Sequence, residues 1–247
     1  IIMKPNKKAQ DMTVAELAAY IDQSVLKPEF TQAEIRRYIQ EGIDFGCKTV
    51  CINPASIAIA DAMCRGTQTK LCVVCDFPFG LSTTESKVMQ ADLYCKKGNI
   101  FELDMVANYG WIRSGMWGEV EKDIKAVSDV CHQYGTAVKV IFETDALTLE
   151  EVRKATETAI AAGADFAKTS TGFFTGGRCD GATTEVIEAM MDTARGRIKI
   201  KGSGGIRDQE HFFRLIDMGI DRMGIGFRST PIVLGLGTDA KAAKEQY

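Results

Sequence analysis

From about residue 20 onward, stretches whose apolar residues recur every three to four positions alternate with short apolar runs, the pattern of alternating helices and strands. The short runs predict strands at 20–24, 49–52, 70–77, 100–106, 137–142, 166–169, 198–202 and 222–226, with helices between them. Two helix starts have capping-box form, Thr31-Gln32-Ala33-Glu34 and Thr148-Leu149-Glu150-Glu151, and Pro54 and Pro231 suit a first helical turn. Gly42, Gly98, Gly163 and Gly219 each follow a helical pattern and precede a strand-like run, as left-handed residues that end helices do. They recur at about twice the length of one strand-helix unit, which makes roughly eight units of about 28 residues. Eight such units predict an α/β fold, a single-domain (β/α)8 TIM barrel over residues 13–247 preceded by a loose N-terminal extension, 1–12. The first residue is Ile rather than Met, which suggests a trimmed chain.

Composition narrows the function classes. The chain has 247 residues, 45% hydrophobic and 26% charged, with 5 Pro against 23 Gly, which excludes a disordered or fibrous protein. No window of about 18 apolar residues and no apolar signal core exist, so neither a membrane partner nor secretion is expected, and the cytoplasm is the expected compartment. A net charge of −3 argues against nucleic acid as a partner. The 8 Cys are expected to be reduced core residues. Cys72 and Cys75, three apart in a strand, face opposite ways and have no second Cys pair or nearby His, so no metal site is expected.

Charges inside strands carry the chemistry. In 101–106, Glu102 and Asp104 share one face, and Lys139 lies opposite Val138 and Val140. Lys168 and Lys201 fall at strand ends. Period two turns all five toward the barrel interior and predicts a cluster near the C-terminal mouth, where barrel enzymes react. A buried ion-pair network holding strand register is the competing reading. Five buried charges cost desolvation that apolar residues would avoid, which favours function.

A lysine of pKa about 10.4 is neutral in only about one molecule in 2,500 at pH 7. A second ammonium and desolvation lower that pKa, and the freed amine attacks a carbonyl to form an iminium. The iminium is an electron sink beside which a carboxylate, directly or through water, moves a proton. His132 and His211 fall in outer helical stretches, so a His-rich metal site is unsupported. Ser203 lacks a His to activate it and is read as a phosphate-loop residue. Gly-rich loops at 172–177, 202–207 and 224–229 suit an anion after strands six to eight. Gly235-Leu236-Gly237-Thr238-Asp239-Ala240 matches a dinucleotide fingerprint but leaves no room for its βαβ unit, so it is read as fortuitous.

The chain resembles the 2-deoxy-D-ribose-5-phosphate aldolase family. The motifs that carry the resemblance include Ser24-Val25-Leu26-Lys27-Pro28, Val50-Cys51-Ile52-Asn53-Pro54, Phe77-Pro78-Phe79-Gly80, Glu102-Leu103-Asp104-Met105-Val106 and Lys139-Val140-Ile141-Phe142-Glu143-Thr144. The most specific are Lys168-Thr169-Ser170-Thr171-Gly172 and Lys201-Gly202-Ser203-Gly204-Gly205-Ile206-Arg207. The resemblance implies Lys168 as the Schiff-base residue, Lys201 as the neighbour that lowers its pKa, and Asp104 as the acid/base group. It implies Asp22 in the proton relay or substrate contact and Lys139 supporting the pocket. The phosphate and substrate would meet Thr171, Gly172, Gly204, Gly205, Arg207, Gly226, Arg228 and Ser229. The implied reaction is reversible cleavage of 2-deoxyribose 5-phosphate to glyceraldehyde 3-phosphate and acetaldehyde, with no metal or organic cofactor, in a homodimer.

Departures concern the substrate. Gly226 and Phe227 stand where many relatives have a Ser pair, with Arg228 and Ser229 as candidate replacements. Arg178-Cys179-Asp180-Gly181 reads as an insertion beside the phosphate region, where Arg178 would add a contact or resize the pocket. Gln23 replaces a common His, Asp76 adds a carboxylate near the mouth, and Tyr247 occupies a C-terminal place that reaches the active site in some members. Two alternatives stay open: iminium chemistry on another phosphorylated keto or aldehyde substrate, and a non-catalytic barrel that binds phosphate ligands.

Overall fold

The computed structural model describes residues 5–237. Tyr247 and the end of the 235–240 fingerprint lie outside the described residues. Eight strands, β1 (Ile21–Val25), β2 (Thr49–Ile52), β3 (Lys70–Cys75), β4 (Ile100–Val106), β5 (Ala137–Ile141), β6 (Phe166–Lys168), β7 (Lys199–Ser203) and β8 (Arg222–Gly226), close a parallel barrel in chain order. The helices are α1 (Val14–Ala18), α2 (Gln32–Asp44), α3 (Ile57–Cys64), α4 (Thr84–Lys97), α5 (Tyr109–Arg113), α6 (Trp117–His132), α7 (Leu149–Ala161), α8 (Thr184–Ala194), α9 (Gln209–Met218) and α10 (Thr230–Val233). This is the expected (β/α)8 TIM barrel. No helix among the described residues is long and apolar enough to cross a membrane.

Local chemistry explains where strands end. β3 stops two residues earlier than the apolar run suggests because Asp76 turns left-handed at φ 52, and its carboxylate accepts the Ser82 N–H at 2.9 Å and O–H at 2.6 Å. β5 stops at Ile141, short of Glu143 at φ 61. β6 ends at Lys168, and β1 and β7 each sit one residue later than expected. Both expected capping boxes form, Thr31 with Glu34 and Thr148 with Glu151. Gly163 and Gly219 take the expected left-handed caps, at φ 78 and 103. Gly42 and Gly98 do not: Gly98 ends α4 in an extended conformation at φ −156, and Gly42 lies inside α2, where a Cβ would stand 2.7 Å from Val50 Cγ1, with Gly46 making the left-handed turn instead.

Part of the expected loose extension is packed. Residues Ala9–Asp11 form a 3-10 turn, with Ala9 fully buried and its N–H donated to Asp217 on α9 at 2.9 Å.

The main apolar core lies between sheet and helices, and includes Val138 and Val140 of β5 and Leu103 and Met105 of β4. Period two then leaves the intervening residues of those strands for the interior. A small apolar cluster inside the barrel unites Leu26, Cys51, Cys72 and Val74. At the start of β6, the Phe166 ring lies 5.6 Å from the Lys139 ammonium, 5.2 Å from that of Lys199 and 5.6 Å from the Arg222 guanidinium. The eight cysteines are free, all buried except the half-buried Cys179. Cys72 faces the interior while Cys75 reaches the Lys87 carbonyl on α4, so the two point apart as expected.

Candidate active site

Strand register assembles the polar interior. Asp104 lies beside Lys139, and Lys168 beside Lys201. Asp104 receives three ammonium groups: Lys139 Nζ at 2.8 Å on Oδ1, and both Lys168 Nζ and Lys201 Nζ at 2.7 Å on Oδ2. A shared oxygen at that distance makes the two upper lysines immediate neighbours, as the sequence expectation requires. Asp22 takes Lys201 at 2.6 Å, Lys139 at 3.4 Å and Arg222 at 2.7 Å. Glu102 takes Lys139 at 2.6 Å and Arg222 at 2.9 Å.

The cluster is therefore layered rather than gathered at the mouth. Glu102 lies two residues before Asp104 on β4 and pairs with Arg222, the first residue of β8, so with Lys139 it belongs to a lower tier. Lys168, 4% exposed, lines the mouth cleft, whereas Lys139 and Lys201, 0% and 1% exposed, lie behind it.

Burial by itself would neutralise these groups, but mutual charge wins. Desolvation raises the Asp104 pKa, yet Lys139, Lys168 and Lys201 together hold it well below the ordinary carboxylate range. Asp22 is depressed in the same way by Lys139, Lys201 and Arg222. Lys201 is pushed the other way: desolvation lowers its pKa, and Asp104 and Asp22 raise it further, so it stays an ammonium. Lys139 behaves likewise, held up by Asp104 and Asp22.

The depressed Asp pKa values contribute stability that is complete above about pH 5 and lost as pH falls below the unfolded value near 3.9. The raised Lys values contribute stability that is complete below about pH 9 and lost as pH rises past about 10.4. The thermal midpoint is therefore expected to hold a plateau from about pH 5 to 9 and fall on both sides. Melting across that range checks this, and a midpoint that climbs below pH 4 contradicts it.

Two residues escaped the sequence reading. Arg222 shares its inward face with Gly224 and Gly226, so the period-two argument applied to β8 would have found it. Glu143 is 1% exposed, and its carboxylate accepts the Thr171 N–H at 3.1 Å and O–H at 2.5 Å. Burial pushes its pKa up. These two hydrogen bonds hold the Thr171-Gly172 turn and offset the strain of a non-glycine residue at φ 61.

The mouth cleft is lined by Lys168 together with Thr171, Gly172, Gly204, Gly205, Arg207, Gly226 and Ser229, all expected. Ser24, Leu26, Ser203, Ile206 and Gly224 complete it. The 178–181 segment abuts this cleft: a Cβ on Gly205 would stand 2.4 Å from the Asp180 carbonyl oxygen, and one on Gly181 2.5 Å from the Gly204 backbone. Asp145 holds the segment by accepting the Asp180 and Gly181 N–H groups at 2.8 and 2.9 Å.

Several expected contacts point elsewhere. Arg228 is exposed with its guanidinium 5.4 Å from the Phe227 ring, outside the cleft. Arg178 is exposed and paired with Asp180 at 2.6 Å. Phe227 packs outward on Tyr38 and Phe30, with ring centroids 3.9 and 5.3 Å away. Gln23 donates to the Tyr38 carbonyl at 2.6 Å, away from the interior. Asp76 serves the Ser82 turn. His132 pairs with Asp165 at 2.7 Å and His211 Nε2 lies 2.8 Å from the Ala182 carbonyl, both in the helical layer. Among the described residues one group has metal-ligand spacing, Cys51, Cys72 and Asp104, with ligand atoms within 4.8 Å of one another. Lys139 Nζ lies 3.5 Å from Cys72 Sγ and the three ammonium groups already hold Asp104, an arrangement that repels a dication.

Comparison with known proteins gives one answer. The sequence profile of DeoC/LacD family aldolases matches residues 16–229. A deoxyribose-phosphate aldolase of Staphylococcus saprophyticus is 41% identical over 223 residues, covering 90% of this chain and 98% of its own. That of Staphylococcus haemolyticus is 40% identical with the same coverage. The solved deoxyribose phosphate aldolase of Aeropyrum pernix, described as a tetramer, superposes with a TM-score of 0.80 at 27% identity, covering 90% of this chain and 91% of that one. A profile match over most of the chain, with relatives that align nearly end to end on a barrel of the same topology, places this chain in the DeoC/LacD family of aldolases.

Proposed function

We propose that this aldolase reversibly cleaves 2-deoxy-D-ribose 5-phosphate to D-glyceraldehyde 3-phosphate and acetaldehyde through a Schiff base on Lys168. The observation that carries the reading is the placement of Lys168, which shares Asp104 Oδ2 with Lys201 and lines the mouth cleft. Lys139 and Lys201 each contact at least two carboxylates, whereas Lys168 contacts Asp104 alone and is the one that opens to the cleft.

The Lys168 amine attacks C1 of the open-chain sugar, and the carbinolamine loses water, with Lys201 positioned as its proton donor. The C3 hydroxyl then gives its proton to Asp104, directly or through water, the C2–C3 bond breaks, and its electron pair flows to the iminium nitrogen. Glyceraldehyde 3-phosphate leaves. The enamine is protonated at C2, and water hydrolyses the imine to free acetaldehyde. The left-handed glycines 172, 204 and 205 present backbone N–H groups for the phosphate, with Arg207 and Ser229 alongside.

The names of the relatives support this substrate. Eight free thiols support a cytoplasmic setting, and the family resemblance supports a homodimer. Release of glyceraldehyde 3-phosphate from 2-deoxyribose 5-phosphate, followed by a coupled dehydrogenase, tests the assignment, and no release at saturating substrate would refute it.

Gly181→Ala tests the phosphate loop. Its φ of 65 and the absence of room beside Gly204 force the loop to shift, so kcat/KM for the phosphorylated sugar is expected to fall about 10- to 100-fold, mainly through KM. Unchanged kinetics would separate the 178–181 segment from phosphate binding.

A further inference from the structure

Seven described residues have a buried side-chain polar atom with no hydrogen-bond partner, and of these Ser203 alone lines the mouth cleft. Its hydroxyl is not idle for want of order. Thr169 Oγ1 accepts the Ser203 N–H at 2.9 Å and donates to the Ser203 carbonyl at 2.8 Å, which fixes the residue at the end of β7. Ser203 lies two residues beyond Lys201, so both side chains enter the barrel, with Ser203 one tier nearer the mouth. Its strand partner is Gly224, where a Cβ would stand 3.0 Å from Ser203 Oγ and 3.4 Å from Lys201 Cε. Glycine there keeps open the space onto which the hydroxyl faces.

A buried hydroxyl without a partner destabilises a fold that alanine would serve better, so its reason is to be sought in a ligand. Chain geometry says which part of one. Lys168, paired in register with Lys201, holds C1, and Gly204-Gly205, directly after Ser203, lie where the phosphate is assigned. The middle of the sugar must pass Ser203. Of its two hydroxyls, that on C3 loses its proton to the deeper Asp104, which leaves the one on C4. We infer that Ser203 Oγ hydrogen-bonds the C4 hydroxyl of deoxyribose 5-phosphate, which is the C2 hydroxyl of glyceraldehyde 3-phosphate, and so makes the enzyme selective for 2-hydroxylated acceptors. Ser203 is then a specificity residue within the strand rather than part of the phosphate loop. The inference rests on the proposed aldolase reaction.

The test runs the reaction in the direction of synthesis, with acetaldehyde as donor and two phosphorylated acceptors, D-glyceraldehyde 3-phosphate and 3-oxopropyl phosphate, which lacks the hydroxyl. Ser203→Ala is expected to lower kcat/KM for glyceraldehyde 3-phosphate about 5- to 50-fold and to change that for 3-oxopropyl phosphate by less than about twofold. Its thermal midpoint without ligand is expected to equal or exceed that of the wild type, since an unpaired buried group is removed. Equal losses on both acceptors would overturn the inference in favour of a phosphate contact or a structural role, and no loss on either would overturn it outright. A wild-type enzyme inert on both acceptors would overturn the aldolase reading and this inference with it.

Discussion

Lys168→Arg is expected to lower kcat by more than about 10⁴-fold while leaving the thermal midpoint close to that of the wild type. Arginine keeps a positive charge within reach of Asp104, so the ion pair that Lys168 makes at 2.7 Å has a substitute. It cannot shed a proton at any working pH, so no neutral amine is available to attack C1. Steady-state kinetics beside a melt separates chemistry from folding. Activity within tenfold of wild type would remove Lys168 from the nucleophilic role.

Asp104→Asn is expected to hurt both activity and stability. One buried carboxylate meets three lysines, and an amide leaves Lys168 without its carboxylate partner while Lys139 and Lys201 retain only Asp22 and Glu102. Breaking a buried charge arrangement by removing one partner costs about 3–5 kcal/mol, which denaturant unfolding would register as a lower midpoint at unchanged slope. Turnover is expected to drop about 10²- to 10⁴-fold, because the group that takes and returns the proton is gone. The nucleophile remains, so the variant still forms an imine. A variant with near-normal turnover would show that the proton moves by another route.

The barrel was legible because two periodicities of the chain agree with one topology. Short apolar runs with charges on one face, as in Glu102 and Asp104, required an outer apolar side and an inner polar side, and β4 has both. Strand ends were less legible. At Asp76 and Glu143 the left-handed backbone goes with polar partners, Ser82 six residues on and Thr171 28 residues on, and apolar patterning carries no information about those. The same limit applies to Gly42, whose role is set by Val50 pressing on α2.

The inward-facing charged residues of β4 to β7 could be read from strand parity, but their depth could not. Depth follows from strand stagger, which places Glu102 beside Arg222 at the lower tier and leaves Lys168 uppermost. Arg228 and Phe227 illustrate a related point. Just beyond β8, neighbouring side chains diverge, so Ser229 reaches the cleft while Arg228 stands exposed beside the outward-packed Phe227 ring. Proximity in sequence to a Gly-rich turn did not determine which residues line it.

The most direct test of the account is to incubate the enzyme with acetaldehyde, and separately with 2-deoxyribose 5-phosphate, add borohydride, and map the modified lysine by peptide mass spectrometry. A stable reduced adduct on Lys168 with both compounds is the predicted result. An adduct confined to Lys139 or Lys201, or none with either compound, would contradict it.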